Sequence, residues 1–505
     1  MKKIKLTYIY IVAFVIVAYI LLPIMNAPYL YALQEHSLFV TGHTFMEETV
    51  KHHGGWLVWI SCYLTQFFYY PWLGSSIIIA MWVATYFVCI KGFMLNDKWA
   101  WTAILPLAFR LYDLLSLGYW LYYAKEPGYA FESTVTMMLV ACLGSILVYP
   151  LRRFAKNQIV SMVIATIIPF LLPSWRHYDN FGTTMLDTNF RKELKMYRAI
   201  NECQWEKALA EAPLCKDEKT KDPTNLMVIM KNIALMNTDQ TLDKMYEYNN
   251  CGVLPTKTAD SLNVSMSRQA GPLVYLRYGM VNYAYRWAME NSVRGYQNVD
   301  NLKIMIRCAV LNQEWEVAMK YITILKGTTF HKSWAKTWEI YVHDGQLFSL
   351  DEEFRTVYPL MMNHNDLDTD EGNVQRYLLE HFTNMDTRNP RLEELALTFS
   401  LQAQACNEFM INFYYFFMNH KDIQMPRILD EAAYMFSQLD ECPIDMTGYN
   451  FDQITIADKY NRFAEEYQSH LHKGLETKEI GEKMRKQYGN TYWWYYYFYT
   501  EFNLY

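Results

Sequence analysis

The chain carries, at residues 56–91, the stretch WLVWISCYLTQFFYYPWLGSSIIIAMWVATYFVCIK, which contains no charged residue before Lys91. A water-soluble helix keeps a polar face, whereas about 20 consecutive apolar residues suit a helix that spans a bilayer. Pro71 and Gly74 interrupt the stretch and predict a tight turn between two helices. The stretch therefore predicts a pair of membrane-spanning helices.

Further apolar segments extend this pattern through the first 175 residues. Residues 1–175 carry 11 Lys and Arg against 7 Asp and Glu, whereas residues 176–505 carry 35 against 45. The sequence therefore predicts an all-α protein with a transmembrane domain of five or six apolar segments at residues 1–175 and a soluble region after it. The predicted segments are Leu6–Met25, Trp56–Lys91 (two helices), Trp99–Tyr123, Val135–Leu151 and Ile159–Pro173.

Two basic clusters set the expected orientation, because Lys and Arg collect on the cytoplasmic side of a membrane. If all six segments crossed, the second cluster would lie outside, so one segment is expected not to cross. The candidate is Trp99–Tyr123, and five crossings place the C-terminal region outside the cytoplasm. Six scattered cysteines after residue 176, expected to be unpaired, favour a reducing compartment instead. The clusters are Lys2, Lys3 and Lys5, then Arg152, Arg153 and Lys156.

Two groups of polar residues are candidate sites in the membrane third. Arg110 and Asp113 are three residues apart, so on a helix they share a face as a candidate intramembrane ion pair. A second group lies in the first outer loop, where acid–base or metal chemistry competes with a solvated segment on the bilayer surface, and the surface segment is favoured. We predict no cofactor and no metal. The outer-loop residues are Glu35, Glu47, Glu48 and His52.

Two similar stretches indicate helical repeats in the soluble region. Residues 202–210, ECQWEKALA, match residues 313–320, QEWEVAMK, and each follows a helix-like segment. Trp205 and Trp315 would each begin a second helix, and Ala208 and Ala318 would let paired helices approach closely, as in tetratricopeptide-type repeats. The helical-repeat domain is expected in two parts, at residues 176–345 and 346–505.

The second part ends in an aromatic segment, residues 492–499, YWWYYYFY. A helix of this composition lacks a polar face. It could pack within the chain, lie on the membrane surface or hold a partner, and packing within the chain is favoured.

Residues 64–74, LTQFFYYPWLG, shortly after Gly54 and Gly55, resemble a recurring signature of an uncharacterised group of Bacteroidetes inner-membrane proteins. Gly271–Ala288 and Tyr321–Ala335 are also similar to that group. The resemblance implies an N-terminal multi-span region and a C-terminal tetratricopeptide-like region. It carries no catalytic residues over to this chain.

The sequence favours a non-enzymatic membrane protein whose helical repeats bind another protein, with the lipid bilayer as its other partner and no nucleic acid. The alternative is a divergent membrane glycosyltransferase or transporter-like protein that uses the first outer loop and the membrane core. Glycosyltransferases that use lipid-linked sugars resemble this arrangement, but they commonly place an Asp in that loop, and no Asp precedes Asp97. Few polar residues occur in the apolar segments, which argues against a transport cavity.

Overall fold

The computed structural model describes residues 5–51, 54–116, 118, 129–148, 158–167, 169, 188–216, 222–252, 270–294, 297–361, 389–420, 424–439 and 453–499. Within these ranges the chain is helical and forms no strand, apart from one isolated bridge between Leu214 and Tyr248. The all-α prediction is therefore confirmed.

The chain forms two compact units, each built from two stretches of sequence. Unit 1 consists of Met1–Leu194 and Tyr285–Ser349. Unit 2 consists of Lys195–Ala284 and Leu350–Tyr505. The domain boundaries expected near residues 175 and 345 stay a prediction.

The first stretch of unit 1 alternates long apolar helices with short ones. Short 3₁₀ helices precede two of them, one of four residues at Gln66–Tyr69 and one of eight residues at Asp97–Ile104. The α-helices are α1 (Leu6–Tyr19, continued by a π-helical turn at Ile20–Ile24), α2 (Ala27–Glu35), α3 (His43–Lys51), α4 (Trp56–Thr65), α5 (Pro71–Gly92), α6 (Leu105–Ser116), α7 (Tyr129–Val148) and α8 (Gln158–Ile167).

Three helices in the described ranges are long and apolar enough to cross a membrane: Leu6–Ile24, Pro71–Gly92 and Phe131–Val148. This is fewer than the five or six predicted segments. The predicted pair in residues 56–91 gives one long helix, because the 3₁₀ turn and Pro71 end α4 after ten residues. The predicted Trp99–Tyr123 segment is split between a 3₁₀ helix and α6. The ends of that segment and of the last two, near Tyr123, Leu151 and Pro173, lie outside the described residues.

Contacts between helix ends define two ends of the apolar bundle. At one end, the Asp97 carboxylate accepts hydrogen bonds from the first backbone N–H groups of α1, those of Leu6 and Thr7, each at 2.9 Å. Gln158, the first residue of α8, accepts from Asn96 N–H at 3.0 Å. The starts of α1, of the Asp97 3₁₀ helix and of α8 therefore share one end, called here the lysine end.

The last turns of α5 and α7 belong to the lysine end as well. The Tyr86 hydroxyl donates to Thr7 O at 2.9 Å. Gly92 ends α5 against α7, where an added Cβ would lie 2.5 Å from Ser145 Cβ. Because α5 and α7 both end here, both begin at the other end of the bundle. Both therefore run in the direction opposite to α1.

The opposite end, called here the outer end, is marked by a second set of contacts. Tyr19 and Ser76 share a hydrogen bond of 2.8 Å, and the Phe68 and Phe131 rings lie 5.3 Å apart. The Tyr29 hydroxyl donates to the carbonyl of Leu114, near the end of α6, at 2.6 Å. The chain between Asp97 and Leu114 therefore runs from the lysine end to the outer end.

The rest of unit 1 is a set of helices that pack one on the next. Asn298 caps α15 by accepting from Asn301 N–H at 2.8 Å. Every residue of α15 is buried, including Lys303 and Arg307. The helices are α14 (Val281–Arg294, which begins in unit 2), α15 (Val299–Leu311), α16 (Trp315–Lys326), α17 (Lys332–His343) and α18 (Gly345–Ser349).

Unit 2 is helical in both of its stretches. Before Ala284 it contains α9 (Thr188–Asn201, which begins in unit 1), α10 (Trp205–Glu211), α11 (Asn225–Met236), α12 (Thr241–Lys244) and α13 (Gly271–Arg277). After Leu350 it contains α19 (Glu352–Val357), α20 (Pro390–Gln402), α21 (Cys406–Asn419), α22 (Arg427–Ser437), α23 (Gln453–His472), α24 (Thr477–Tyr488) and α25 (Tyr492–Phe498).

Turns of three or four residues with one geometry connect six helix pairs in the described ranges. In each turn one residue has a positive φ, and the next N–H bonds back to the carbonyl five residues earlier, which is a Schellman ending. Gln313 has φ 62°, for example, and Glu314 N–H bonds to Ala309 O at 2.7 Å. The positive-φ residues are Cys203, Asp239, Gly279, Gln313, Gln404 and Gly474. The same ending also closes α5, at Met94.

The aromatic helix α25 forms part of the core of unit 2. Tyr492, Trp493, Trp494 and Tyr495 are buried. The Tyr492 and Tyr495 hydroxyls donate to Leu401 O and Gln402 O, at 3.3 and 2.9 Å, so they satisfy carbonyls at the end of α20. The aromatic segment therefore packs within the chain, which is the favoured interpretation of its sequence.

Candidate functional site: a buried polar junction in unit 1

Buried polar side chains join the two stretches of unit 1. Lys303 Nζ lies 2.8 Å from Glu35 Oε1, and both side chains are less than a tenth exposed. The Tyr31 hydroxyl donates to the same carboxylate oxygen at 3.1 Å. A buried ion pair is tolerated only with close geometry and further hydrogen bonds, and both are present here. We call the following set the junction cluster: Tyr31, Gln34, Glu35, Ser37, Gln66, Lys303 and His331.

Neutral amides extend the junction cluster beside the ion pair. Gln34 Nε2 lies 2.7 Å from His331 Nε2 and 3.3 Å from Gln66 Oε1. Gln66 Nε2 donates in turn to Ser37 Oγ at 2.9 Å. Because the Gln34 amide nitrogen donates, the imidazole accepts at Nε2, which requires a neutral ring. Gln34, Gln66, Ser37 and His331 therefore form one hydrogen-bonded chain beside the ion pair.

Aromatic rings surround this network. Tyr69 stacks on Phe330 with ring centres 5.3 Å apart and meets the His331 ring edge-on at 5.3 Å. Lys303 Nζ and Arg307 Cζ each lie 5.8 Å from the centre of the Trp334 ring, within cation–π distance. These rings exclude water and keep both cations in place.

The charges of the junction cluster are fixed near neutral pH. Burial by itself raises the pKa of Glu35, but the Lys303 ammonium and the hydrogen bonds outweigh it and lower that pKa to about 2. Burial, with the charge of Lys303, lowers the pKa of His331 to about 3. Glu35 is therefore ionised and His331 is neutral at pH 7.

This arrangement is suited to holding two parts of the unit together. A general base works best with a pKa near the working pH and free access to a substrate proton. Glu35 has neither property, because its pKa is about 2 and Lys303 and Tyr31 bind its carboxylate. The cluster fastens α2 to α15 and to the start of α17.

The other outer-loop residues occupy a different environment from Glu35. Glu47 and Glu48 are exposed on α3, and Glu47 Oε1 lies 3.4 Å from His43 Nδ1. His52 lies outside the described residues. Glu35 is therefore buried, whereas Glu47 and Glu48 face solvent.

Arg110 and Asp113 lie together on α6. Arg110 Nη1 is 3.2 Å from Asp113 Oδ2, and the two side chains are 3% and 12% exposed. The Arg110 guanidinium also lies 5.2 Å from the centre of the Phe109 ring. One turn of helix therefore carries this charge pair within the apolar bundle.

The two repeat-related tryptophans differ in their surroundings. Trp205 and Trp315 are the first residues of α10 and α16, and Ala208 and Ala318 are fully buried. Trp205 is buried in unit 2, where Arg277 Cζ lies 5.4 Å from its ring centre. Trp315 in unit 1 is 39% exposed.

A buried ion pair also lies beneath Trp205. Arg277 Nη1 lies 3.1 Å from Glu353 Oε1, and Arg277 also donates to Asn201 O at 3.2 Å. The pair links the end of α9, the end of α13 and α19 within unit 2. Each unit thus holds separate stretches of sequence together with a buried cation and a buried carboxylate.

A row of exposed apolar side chains marks the surface of α21. Its four members are spaced i, i+3, i+4 and i+7, so they lie on one face of the helix, opposite buried Phe409, Phe413 and Phe416. We call this row the α21 face. It consists of Ile411, Tyr414, Tyr415 and Met418.

Sequence reasoning missed most of the junction cluster. Lys303 and Arg307 are four residues apart within the otherwise apolar residues 302–311. Gln66 is a lone amide within the uncharged stretch of residues 56–90. Such isolated polar residues in apolar segments are the available signal, since burial requires each of them to have a partner.

No group of three or more His, Cys, Asp or Glu side chains in the described ranges could hold a metal ion. No curated protein and no solved structure matches the chain. One family model matches it twice, over residues 2–173 and 135–499, and these matches together cover nearly the whole length. The chain therefore belongs to DUF6057, a family of unknown function.

Proposed function

We propose that the chain is an integral membrane protein of a bacterial inner membrane that holds an extracytoplasmic helical-repeat region, through which it binds a protein partner. The observation that carries the proposal is the recurring turn between paired helices. Its positive-φ residues Cys203, Asp239, Gly279 and Gln313 follow at intervals of 36, 40 and 34 residues. Tetratricopeptide repeats have a period of about 34 residues.

Exposed apolar surface on the long helices supports the membrane location. On α7, Leu139, Leu143, Ile146 and Leu147 are all exposed, and Leu143 is 59% exposed. Exposed rows of this kind also occur on α1, at Val12 and its neighbours. In water such rows are unfavourable, whereas in hydrocarbon they need no cover.

The contacts at the ends of the bundle support the proposed orientation. Eight of the 11 Lys and Arg residues in residues 1–175 lie in sequence beside segments that begin or finish at the lysine end. The positive-inside rule therefore favours a cytoplasmic lysine end. These eight residues are Lys2, Lys3, Lys5, Lys91, Lys98, Arg152, Arg153 and Lys156.

The junction cluster then favours an extracytoplasmic location for helices α15 to α17. Glu35 follows α1 at the outer end, and it binds Lys303 of α15. Phe190, after α8, lies 6.2 Å from Tyr29, so the chain also leaves the bundle at the outer end. An odd number of crossings joins the two ends, and we propose five: α1, α5, Asp97–Ser116, α7 and the segment Ile159–Pro173 predicted from the sequence, of which α8 is the described helix.

Cysteine chemistry in unit 2 supports the same compartment. Cys406, the first residue of α21, is disulfide-bonded, so the expectation that all six cysteines after residue 176 are unpaired is wrong for this residue. Structural disulfides persist in oxidising compartments such as the periplasm and are rare in the cytosol.

The exposed second helices offer the surface for a partner. The first helices of three pairs are buried along nearly their whole length, namely α11, α13 and α15. An open repeat array binds its partner on its concave surface. These three helices have too few exposed side chains to form such a surface. The α21 face, on the second helix of its pair, is exposed and rich in tyrosine, a residue common at protein interfaces.

The glycosyltransferase alternative has weaker support. It needs an outer-loop acid that can act as a base or bind a metal ion. Of the three candidate acids, Glu35 is bound to Lys303, and Glu47 and Glu48 lie exposed on α3.

A reporter fusion tests the orientation. Alkaline phosphatase joined after Tyr505 of the full chain is expected to be active, because the enzyme folds only in an oxidising compartment. Green fluorescent protein at the same position is the control, and bright fluorescence without phosphatase activity would contradict the proposal.

Site-specific photo-crosslinking in cells tests partner binding. A photoreactive phenylalanine analogue at Tyr415 is expected to give a discrete adduct with another protein, and Ile411→Ser is expected to abolish that adduct. Tyr358, an exposed tyrosine elsewhere in unit 2, is the matched control position. If positions 414 and 415 give no adduct in a stably expressed chain, the α21 face is not the binding surface.

A further inference from the structure

We infer that α4 lies in the plane of the membrane at its outer surface, with Trp56, Ile60 and Tyr63 inserted between the lipids. The inference rests on the proposed membrane function and assigns a lipid-binding surface to a segment that the sequence predicts to span the bilayer. Its partner is the boundary between lipid headgroups and acyl chains.

The length of α4 excludes a full crossing. Ten residues of α-helix rise about 15 Å, and the four 3₁₀ residues that follow add about 8 Å, against a hydrocarbon core of about 30 Å. After Gln66–Tyr69 the chain enters α5 at Pro71.

Both ends of α4 contact the outer end of the bundle. Before its first turn, a Cβ added to Gly54 would lie 3.8 Å from Glu132 Oε1, in the first turn of α7. After its last turn, Gln66 bonds to Ser37 in the junction cluster. A helix whose two ends lie on one side of a bilayer does not cross it.

One face of α4 is buried against protein and the other is exposed, as expected for a helix that lies on the membrane surface. Val58 and Cys62 are buried in a small cluster with Phe39. The Ser61 and Thr65 hydroxyls bond back to carbonyls of their own helix, at 2.6 and 2.7 Å, so neither hydroxyl needs water. The opposite face is formed by Trp56, Ile60 and Tyr63, at spacings of four and three residues, and all three are exposed.

The chemistry of the exposed face suits the membrane interface. None of the ten residues of α4 is charged. Trp and Tyr concentrate where one end of the ring is apolar and the other is wet. The face continues into Tyr70 and Trp72, exposed at the start of α5, so it adjoins the surface that a spanning α5 presents to lipid.

This inference changes which predicted segment does not cross. Sequence reasoning selects Trp99–Tyr123, which contains Arg110 and Asp113. The contacts of Asp97 at the lysine end and of Leu114 at the outer end favour a crossing there. The segment that stays on one side is then Trp56–Thr65.

Spin-label depth measurements on the full chain in phosphatidylcholine–phosphatidylglycerol nanodiscs test the inference. Labels are placed at Trp56→Cys and Tyr63→Cys, one at a time, after native cysteines that accept the label are replaced by serine. An in-plane helix gives both labels one shallow depth. A crossing helix separates two positions seven residues apart by about 10 Å in depth.

Leu139→Cys and Ile146→Cys on α7 form the matched control pair, also seven residues apart and exposed. We expect depths that differ by about 10 Å at positions 139 and 146 and equal depths at 56 and 63. The inference is overturned if the labels at positions 56 and 63 differ in depth by about 10 Å. It is also overturned if both are exposed to water while the labels at 139 and 146 lie in lipid. Either result leaves the proposed membrane function intact. Water-like exposure at all four positions overturns the proposed membrane function as well.

Discussion

Helices α7 and α11 are both strongly apolar, but they occupy opposite environments. On α7, Leu143 and Leu147 are exposed, whereas every residue of α11 from Leu226 to Met236 is buried. A helix that is apolar on all sides needs either protein or lipid around it. Protein surrounds α11, and the same requirement favours lipid around α7. Apolar composition therefore predicts that a helix avoids water, but not what replaces the water.

The largest expected effect comes from placing a charge in α11. Leu235→Lys is expected to destabilise unit 2 by more than about 4 kcal/mol, because an unpaired ammonium would replace a fully buried side chain. Limited proteolysis of the purified protein in detergent measures the loss. Leu350→Lys, at a 69% exposed position, is the control and should change stability by less than about 0.5 kcal/mol. Equal resistance of the two variants would show that α11 is not enclosed.

A slightly smaller effect is expected at the junction cluster. Lys303→Met leaves the Glu35 carboxylate buried without its cation, which typically costs about 3–5 kcal/mol. The melting temperature of the protein in detergent reports this loss. The double variant Glu35→Gln with Lys303→Met should recover most of it, since neither charge remains. Additive losses in the double variant would argue against the ion pair.

A charge placed on α7 tests whether lipid surrounds this helix. Leu143→Lys is expected to weaken membrane insertion by about 3 kcal/mol, the usual cost of a lysine at the centre of a spanning helix. The fraction of protein that resists alkaline extraction measures insertion. The same change at Leu350 should leave that fraction unchanged. If Leu143→Lys behaves like Leu350→Lys, then α7 faces water.

The effect that is smallest near neutral pH is a pH dependence that His331 introduces into unit 1. Its pKa is lowered from 6.5 to about 3 in the folded state, so the unfolded chain binds the proton first as pH falls. Stability should therefore decline from about pH 6.5 towards pH 3, by at most about 1.4 kcal/mol per pH unit. His331→Asn should lack this slope in thermal unfolding at matched pH values. Parallel slopes for the two proteins would mean that His331 is not buried as a neutral ring.

Local patterns made the helices predictable from the sequence. Uncharged stretches predicted α1, α5 and α7, and the two Trp-containing stretches predicted the starts of α10 and α16. The pairing of Glu35 with Lys303 could not be predicted in this way. The two residues are 268 positions apart, and no local pattern reports a contact over that distance.

By itself, the sequence determined that the chain is helical and that its first third carries long apolar segments, because both properties depend on the composition and spacing of neighbouring residues. Only the tertiary structure decided that α4 ends after ten residues between contacts at one end of the bundle. It also decided that Tyr285–Ser349 belongs to the unit that contains the apolar helices. The physical reason is that long-range packing decides which buried charges and amides become partners, and a buried polar group is stable only where its partner lies.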